Sequence, residues 1–282
     1  MIRSFVFLCG ILAALPSAAQ DRRPSHCIAI ADAAPGIEFV QHVSFQEAVE
    51  PFSVRLTYID HAMFLIQTEG GLSAVTDYAG FIGVTDFTPD VVTMNNSHST
   101  HWTAVPDPGI PHVLEGWGSS GEPADHHLDL GEMLVRNVPT DARSGFQLGD
   151  PAQGTGVRVG GNSIFVFEAA GLCIGHLGHL HHKPDDAQFA ALGRLDVVMA
   201  PVDGGFTLDL PTMIETLKRL RSSVVIPMHW FSVSSLERFL AGMADEFDID
   251  RAGPNSIEVS LRTLPERPTV VVMQPRFLSY PE

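Results

Sequence analysis

Short apolar runs that stop abruptly at polar, often histidine-bearing segments recur along this chain. Val54-Arg55-Leu56-Thr57-Tyr58-Ile59 alternates as a half-buried strand does. Met63 to Thr68 and Leu72 to Thr76 follow, separated by the turn Glu69-Gly70-Gly71, so the three predict a β-meander ending at Asp77. Asp90 to Met94 is a buried strand that ends in Asn95-Asn96-Ser97-His98-Ser99-Thr100-His101. The Pro- and Gly-rich stretch from Trp102 to Pro123 is too long for a plain connection and is expected to be a functional loop. Met133 to Val138 reads as a strand ending at Pro139-Thr140-Asp141, and Phe146 to Gly161 as irregular. Ser163 to Glu168 and Leu172 to Gly175 predict a hairpin about Ala170-Gly171.

Beyond this point strands and helices alternate. Asp185 to Leu195 and Leu210 to Leu220 carry helical apolar stripes, the second with Pro211 in its first turn. Ser234 to Phe247 is a further helix, with Ser234 or Ser235 available as its N-cap. The buried strands between them are Asp196 to Ala200 and Val224 to Ile226. Ile257 to Leu261 and Thr269 to Met273 close the chain. The pattern predicts an α/β (α+β) domain over residues 54–282, preceded by a lead-in over 20–53.

Composition narrows the function. The 282 residues are 45% hydrophobic and 18% charged, enough for a sizeable core. A net charge of −16, with Lys183 and Lys218 the only lysines, leaves no basic stripe for nucleic acid or an anionic membrane. A small molecule is the expected partner; the oligomeric state is not legible. Met1 to Ala19 has the form of a signal peptide: Arg3, the apolar run Phe5 to Leu15, and Ser17-Ala18-Ala19 as cleavage site. Phe7-Leu8-Cys9 lacks the small residue of a lipidation site, so a periplasmic or secreted product is expected. Its remaining cysteines, Cys27 and Cys173, either pair or are simply buried.

The candidate chemistry is histidine. His98 and His101, the run His176-Leu177-Gly178-His179-Leu180-His181-His182, and His229 after Pro227-Met228 each follow a strand-like segment, a spacing suited to a shared metal ion. There is no Gly-x-Ser-x-Gly elbow or phosphate-binding Gly-rich loop.

In this order, Thr57-Tyr58-Ile59-Asp60-His61, Asp77, the His98 loop, His176-Leu177-Gly178-His179 and Pro227-Met228-His229 resemble the metallo-β-lactamase superfamily, nearest its ascorbate-lactonase-like branch. The resemblance implies an αββα sandwich of two mixed β-sheets flanked by helices, with metals at one sheet edge. It also marks departures. The family's His-x-His-x-Asp-His loop stands here as Asn96, His98, Thr100 and His101. The third-motif histidine falls at Thr140, and His179 takes the place of a bridging aspartate.

Carried over, the resemblance keeps one site on His101, His179 and His229, with His98 left over from the other. Of His176, His181 and His182, read from the run itself, one is a further ligand candidate and the others candidates to orient a ligand or line the pocket, against a plain solvated loop. Asp77 and His61 would support the metal loop. Three neutral imidazoles suit a single Zn2+, with Mn2+ or Fe2+ as alternatives, and imidazole does not bridge two ions. Asp141 and Asp203 are placed to act as general base or to orient a ligand, though each reads equally as a loop aspartate bonding its own backbone. Asn96 is placed to polarise a substrate carbonyl. The implied activity is hydrolysis of an ester, lactone, amide or phosphoester by metal-activated water. The alternative is a non-catalytic metal- or ligand-binding member of the fold.

Overall fold

A computed structural model describes residues 23–29, 44–119, 122–144 and 156–280. The signal-like segment, most of the lead-in and residues 146–155 of the Phe146–Gly161 stretch lie outside the described residues.

The elements in order are α1 (His26–Ala29), β1 (Val54–Asp60), β2 (Met63–Thr68), β3 (Ser73–Val75), β4 (Gly83–Val84), β5 (Val91–Met94), β6 (His112–Glu115), β7 (His127–Asp129), β8 (Met133–Ser144), β9 (Gly156–Ala169), β10 (Leu172–His176), α2 (Asp186–Leu192), β11 (Val197–Pro201), α3 (Leu210–Leu220), β12 (Val224–Met228), α4 (Val233–Met243), β13 (Asp248–Asp250), β14 (Ser256–Val259), β15 (Thr269–Val271) and β16 (Leu278–Ser279). Two mixed sheets face each other, one ordered β14-β1-β2-β3-β5-β6 and the other β13-β15-β12-β11-β10-β9-β8-β7. The predicted sandwich is present. Leu56, Phe64 and Ile66 of the first sheet meet Phe165, Ile174, Met199 and Ile226 of the second between the layers. Alternate residues on the same strands, such as Val198 and Val225, face outward and bury against α3 and α4 through Met213, Leu217, Phe239 and Leu240. The outer face of the first sheet is covered by loop residues, Tyr78, Ile82, Ile110, Trp102 and Trp117 among them. No helix among the described residues is long and apolar enough to cross a membrane.

Four local expectations are corrected. β8 does not end at Pro139-Thr140-Asp141 but passes through it with a bulge between Thr140 and Ala142. Pro139 is tolerated because β7 pairs only with Leu134 to Arg136, so at Pro139 one side of β8 carries no ladder. Gly156 to Gly161 is strand, not coil, because it pairs with the extended end of β8. The Trp102–Pro123 loop contains β6, which adds an edge to the first sheet parallel to β5. The last helix is capped by Ser232, whose side chain accepts from Ser235 N, and it ends at Met243.

The N-terminal segment is fastened to the second sheet. Cys27 is disulfide-bonded to Cys173 of β10 across a sequence separation of 146. Beside this bond, buried Glu168 accepts from Ser25 Oγ, His26 N and Arg136 Nε. A second buried pair, Arg55–Glu258, holds the Ser44–Ala48 segment, whose carbonyls accept from the same guanidinium. Breaking either pair on one side would strand a buried charge, a cost of about 3–5 kcal/mol.

Candidate metal centre

The strands deliver histidines where they end. His61 sits in the turn between β1 and β2, His101 in the loop after β5, His179 after β10 and His229 after β12. Carboxyl ends of parallel strands are where open α/β sheets bind ligands. Six non-glycine residues among those described have positive φ, and three are here: His61 (46°), Asp77 (44°) and His229 (56°). That conformation costs about 1–2 kcal/mol per residue. It is held by His229 N and Tyr58 Oη, which both donate to the His61 carbonyl, and by Asn95 N, which donates to Asp77 Oδ1. Gly178 lets the β10 loop close on Asn95, where a Cβ would collide with the Asn95 amide.

One side of the cluster is His61, His101 and His229, whose candidate ligand nitrogens lie within 4.8 Å of one another. His101 Nδ1 donates to Asp77 Oδ2 at 2.6 Å, and His229 Nδ1 donates to Asp203 Oδ1 at 3.1 Å. A carboxylate on Nδ1 fixes the tautomer and turns the Nε2 lone pair inward. Nε2 of His61 and of His101 is buried with no hydrogen-bond partner. Two orphaned buried imidazole nitrogens are what a cation would satisfy. Burial pushes His61 down to about 3, and burial with repulsion from neighbouring imidazoles holds His101 well below its usual range. The rings are therefore neutral, with lone pairs available.

The two supporting carboxylates differ. Complete burial raises Asp77 to about 6. Burial also pushes Asp203 upward, but hydrogen bonds from His229 and Thr207, with backbone N–H of Gly205 and Phe206, outweigh it and hold the carboxyl well below the ordinary range.

The other side is His98, His101 and His179, again within 4.8 Å by ligand atom. Here the support is different. His179 Nδ1 meets His181 Nε2 at 2.9 Å, and His181 Nδ1 accepts from Arg143 N at 3.1 Å. A backbone N–H cannot accept, so neutral His181 carries its proton on Nε2 and donates it to His179 Nδ1. His179 then carries its own proton on Nε2, the atom that faces a ligand site when Nδ1 is the supported nitrogen. His98 is exposed, touches Thr100 Oγ1 through Nδ1, and stacks on His179 with centroids 5.1 Å apart.

The rings of His101, His179 and His229 pack together, 4.7–5.1 Å between centroids, but the three are divided between the two groups rather than forming one. His61, expected only to support, joins the His101–His229 group; its ring is 4.0 Å from that of His229. His176 belongs to neither group: like Leu172 and Ile174 it faces between the sheets, and Nε2 meets the Ala62 carbonyl at 2.7 Å. His182 belongs to neither, its ring 6.5 Å from that of His181. Asp141 is no free base: at the β8 bulge, its Oδ1 accepts from Gly160 N. Asn96 does not reach toward a substrate, because its Oδ1 accepts from Arg158. Thr140 is joined to Asn95 through Asn162, so neutral amides and a guanidinium stand at the departed ligand positions. Asp203 orients His229 and is fully engaged there.

Of the His176–His182 run it is His181 that orients another ring, one of the roles the sequence left open for it. Arg158 was passed over, and Asp60 was noted only as part of the Thr57–His61 motif. For His61 the signal was available, since Ile59-Asp60-His61 ends a strand in histidine as the other clusters do.

A sequence profile described as "Beta-lactamase superfamily domain" matches residues 55–229. A UPF0173 metal-dependent hydrolase of Nitratidesulfovibrio vulgaris is 26% identical over 211 residues, covering 65% of this chain and 83% of the relative. One from Methanoculleus marisnigri is 26% identical over 217 residues, covering 74% and 93%. Among solved structures, a candidate Zn-dependent hydrolase of the metallo-β-lactamase superfamily from Thermotoga maritima superposes with a TM-score of 0.54 at 26% identity, covering 78% of this chain and 98% of that one.

Proposed function

Because this chain belongs to the metallo-β-lactamase superfamily, we propose that it is an exported metal-dependent hydrolase holding one divalent ion, zinc, on His61, His101 and His229. The observation that carries the reading is the pair of buried, partnerless Nε2 atoms on His61 and His101 inside a three-imidazole group. Three neutral imidazoles are a ligand set that zinc accepts while keeping a position for water. A bound divalent ion supplies Lewis acidity, which lowers the pKa of water and polarises the scissile group of an ester, lactone, amide or phosphoester. The names of the relatives support the metal and the hydrolysis.

The chain's own residues have distinct tasks. Asp77 and Asp203 hold the proton on Nδ1 of His101 and His229 and fix the two rings. His179, accepting at Nδ1, presents Nε2–H as a donor to an oxygen on which negative charge develops. His179 thus acts on substrate, and the ligand set differs from the His101, His179 and His229 expected from the resemblance.

The test is elemental analysis of purified protein with a panel of esters, lactones, amides and phosphoesters. We expect one zinc per chain and turnover of at least one class. Manganese or iron would overturn the choice of metal, and metal-free inactive protein would overturn the whole reading. Tight metal with no turnover would favour a binding protein, a reading that the amide network at Asn95, Asn162 and Thr140 supports. Export rests on the Met1–Ala19 pattern and agrees with the Cys27–Cys173 bond, which an oxidising compartment maintains. Mature protein beginning at Gln20 is expected outside the cytoplasm; an intact Met1 would overturn it.

A further inference from the structure

A cavity of about 470 Å3 opens beside His61. Its apolar wall is made by Tyr58, Met63, Trp230, Phe231 and Pro275. The Phe231 ring lies 5.4 Å from that of His61 and 5.1 Å from that of His229, yet the residue is 63% exposed. Phe206, 46% exposed, meets Phe231 edge-on at 5.6 Å and extends the lip. Exposed aromatic residues at a cavity mouth are costly to leave in water without something to cover them.

The polar part of the wall is Asp60 with Ser99 and Thr100. Asp60 is its sole carboxylate. The groups that act on it electrostatically are the backbone N–H of His61 and the Tyr58 hydroxyl, and no cation pairs with it among the described residues. It also stands outside the three-residue groups close enough to hold a metal. The cavity therefore combines aromatic faces with an unpaired carboxylate, the two features that attract an organic cation. Neither feature favours an anion, and the wall offers no lysine or arginine.

Building on the proposed hydrolase, we infer that this cavity receives an apolar, positively charged arm of the substrate, an alkylammonium group, seated between Asp60 and the rings of Trp230 and Phe231. The reacting group would then lie over the histidines, and the arm would point along the cavity beside His61. Both requirements are chemical: an uncharged arm would leave Asp60 desolvated without a partner, and a carboxylate arm would be repelled by it.

The test has a binding arm and a turnover arm. In the binding arm, a choline-type alcohol and its uncharged tert-butyl isostere are titrated against metal-free protein by calorimetry. The cation is expected to bind about tenfold more tightly than the isostere, and Asp60→Asn to remove that preference. Phe231→Ala, at an exposed position, is expected to weaken cation binding about threefold. In the turnover arm, zinc-loaded protein is given acetate esters of the two alcohols and a carboxylate-bearing analogue. We expect kcat/KM to fall in the order ammonium, uncharged, carboxylate, with the first ratio approaching one in Asp60→Asn. Equal binding of cation and isostere overturns the inference even if every ester is hydrolysed. Failure to turn over these esters or any lactone, amide or phosphoester of the wider panel, with the binding preference intact, overturns the hydrolase reading and leaves the cation site standing.

Discussion

The two sides of the histidine cluster share His101 but are supported by different chemistry. On the His61–His229 side, carboxylates accept from Nδ1, so the inward nitrogens are lone pairs. On the His98–His179 side, an imidazole whose own Nδ1 is taken by a backbone N–H stands behind His179, so the inward nitrogen is a donor. The same residue type thus gives an electron-pair donor on one side and a proton donor on the other. What decides is the atom behind the ring, not the ring. A hydrolytic site needs both, one to hold a cation and the other to meet a developing negative charge.

The largest expected effect tests the property that the two sides have in common, neutral imidazoles. His61 on one side and His181 on the other are each pushed to about 3, first by burial. Unfolded, each titrates near 6.5. Both therefore contribute stability that is complete above about pH 6.5 and is lost as pH falls toward 3. The slope approaches about 1.4 kcal/mol per pH unit for each ring, less for the part that solvent screens. Asp203, held low, adds to the loss in more acid solution. Asp77 works the other way: raised to about 6, it contributes stability that is present below its unfolded value and lost as pH rises through 6. One carboxyl does not offset several imidazoles. Metal-free protein should show a urea midpoint that is level above about pH 6.5 and falls from there to about pH 5, and a flat profile over that lower range would mean that the rings are not neutral because of burial.

Next in size is removal of ligands. His101→Ala and His229→Ala should weaken zinc binding on the order of a hundredfold or more, measured by competition with a chromophoric chelator. His98→Ala should change it by less than about threefold, because that ring is exposed and its support is a hydroxyl. Equal losses from His98 and His229 would erase the distinction between the two sides.

Behind the ligands, Asp203→Asn and Asp77→Asn should each weaken zinc binding about tenfold to a hundredfold. Asp203→Asn should be the more damaging to folding as well. Its carboxylate gathers donors from Gly205, Phe206, Thr207 and His229, and an amide nitrogen would face some of them. If neither variant alters affinity, the carboxylates are structural and the tautomer argument loses its warrant.

Much of this arrangement was legible before any coordinates. Alternation and β-branched runs gave the strands that cross the sandwich, and each strand ending in histidine did reach one edge. What periodicity missed depends on tertiary pairing. Pro139 reads as a stop, yet it lies where β8 has no neighbour on one side. Gly156 to Gly161 reads as coil, yet a long partner strand holds it extended. In the site, His176 was indistinguishable from His179 by residue type; only strand phase shows that it faces between the sheets with Ile174. Asp141 and Asp203 looked alike, but one sits on a bulge bonding Gly160 and the other behind His229. The tautomer of His179 was beyond sequence altogether, because it is set by the backbone N–H of a residue 36 positions earlier, acting through His181.

The smallest effect on metal is the sharpest test of that last point. His181→Ala removes the donor behind His179 and frees its Nδ1 to carry the proton, turning the Nε2 lone pair inward. If His179 normally donates to substrate, this variant should leave zinc affinity unchanged or raise it by up to about threefold, since a further lone pair becomes available. Turnover should fall by about tenfold to a hundredfold, the range for loss of a donor to developing negative charge, with the change in kcat rather than KM. His181→Gln keeps a side-chain N–H that can reach Nδ1 and should recover part of the lost kcat. Nitrogen-15 chemical shifts of His179 report the tautomer directly: the Nε2–H form in the unaltered protein, the Nδ1–H form in His181→Ala. A drop in zinc affinity in His181→Ala together with an Nδ1–H tautomer in the unaltered protein would place His179 among the ligands and make the two sides alike.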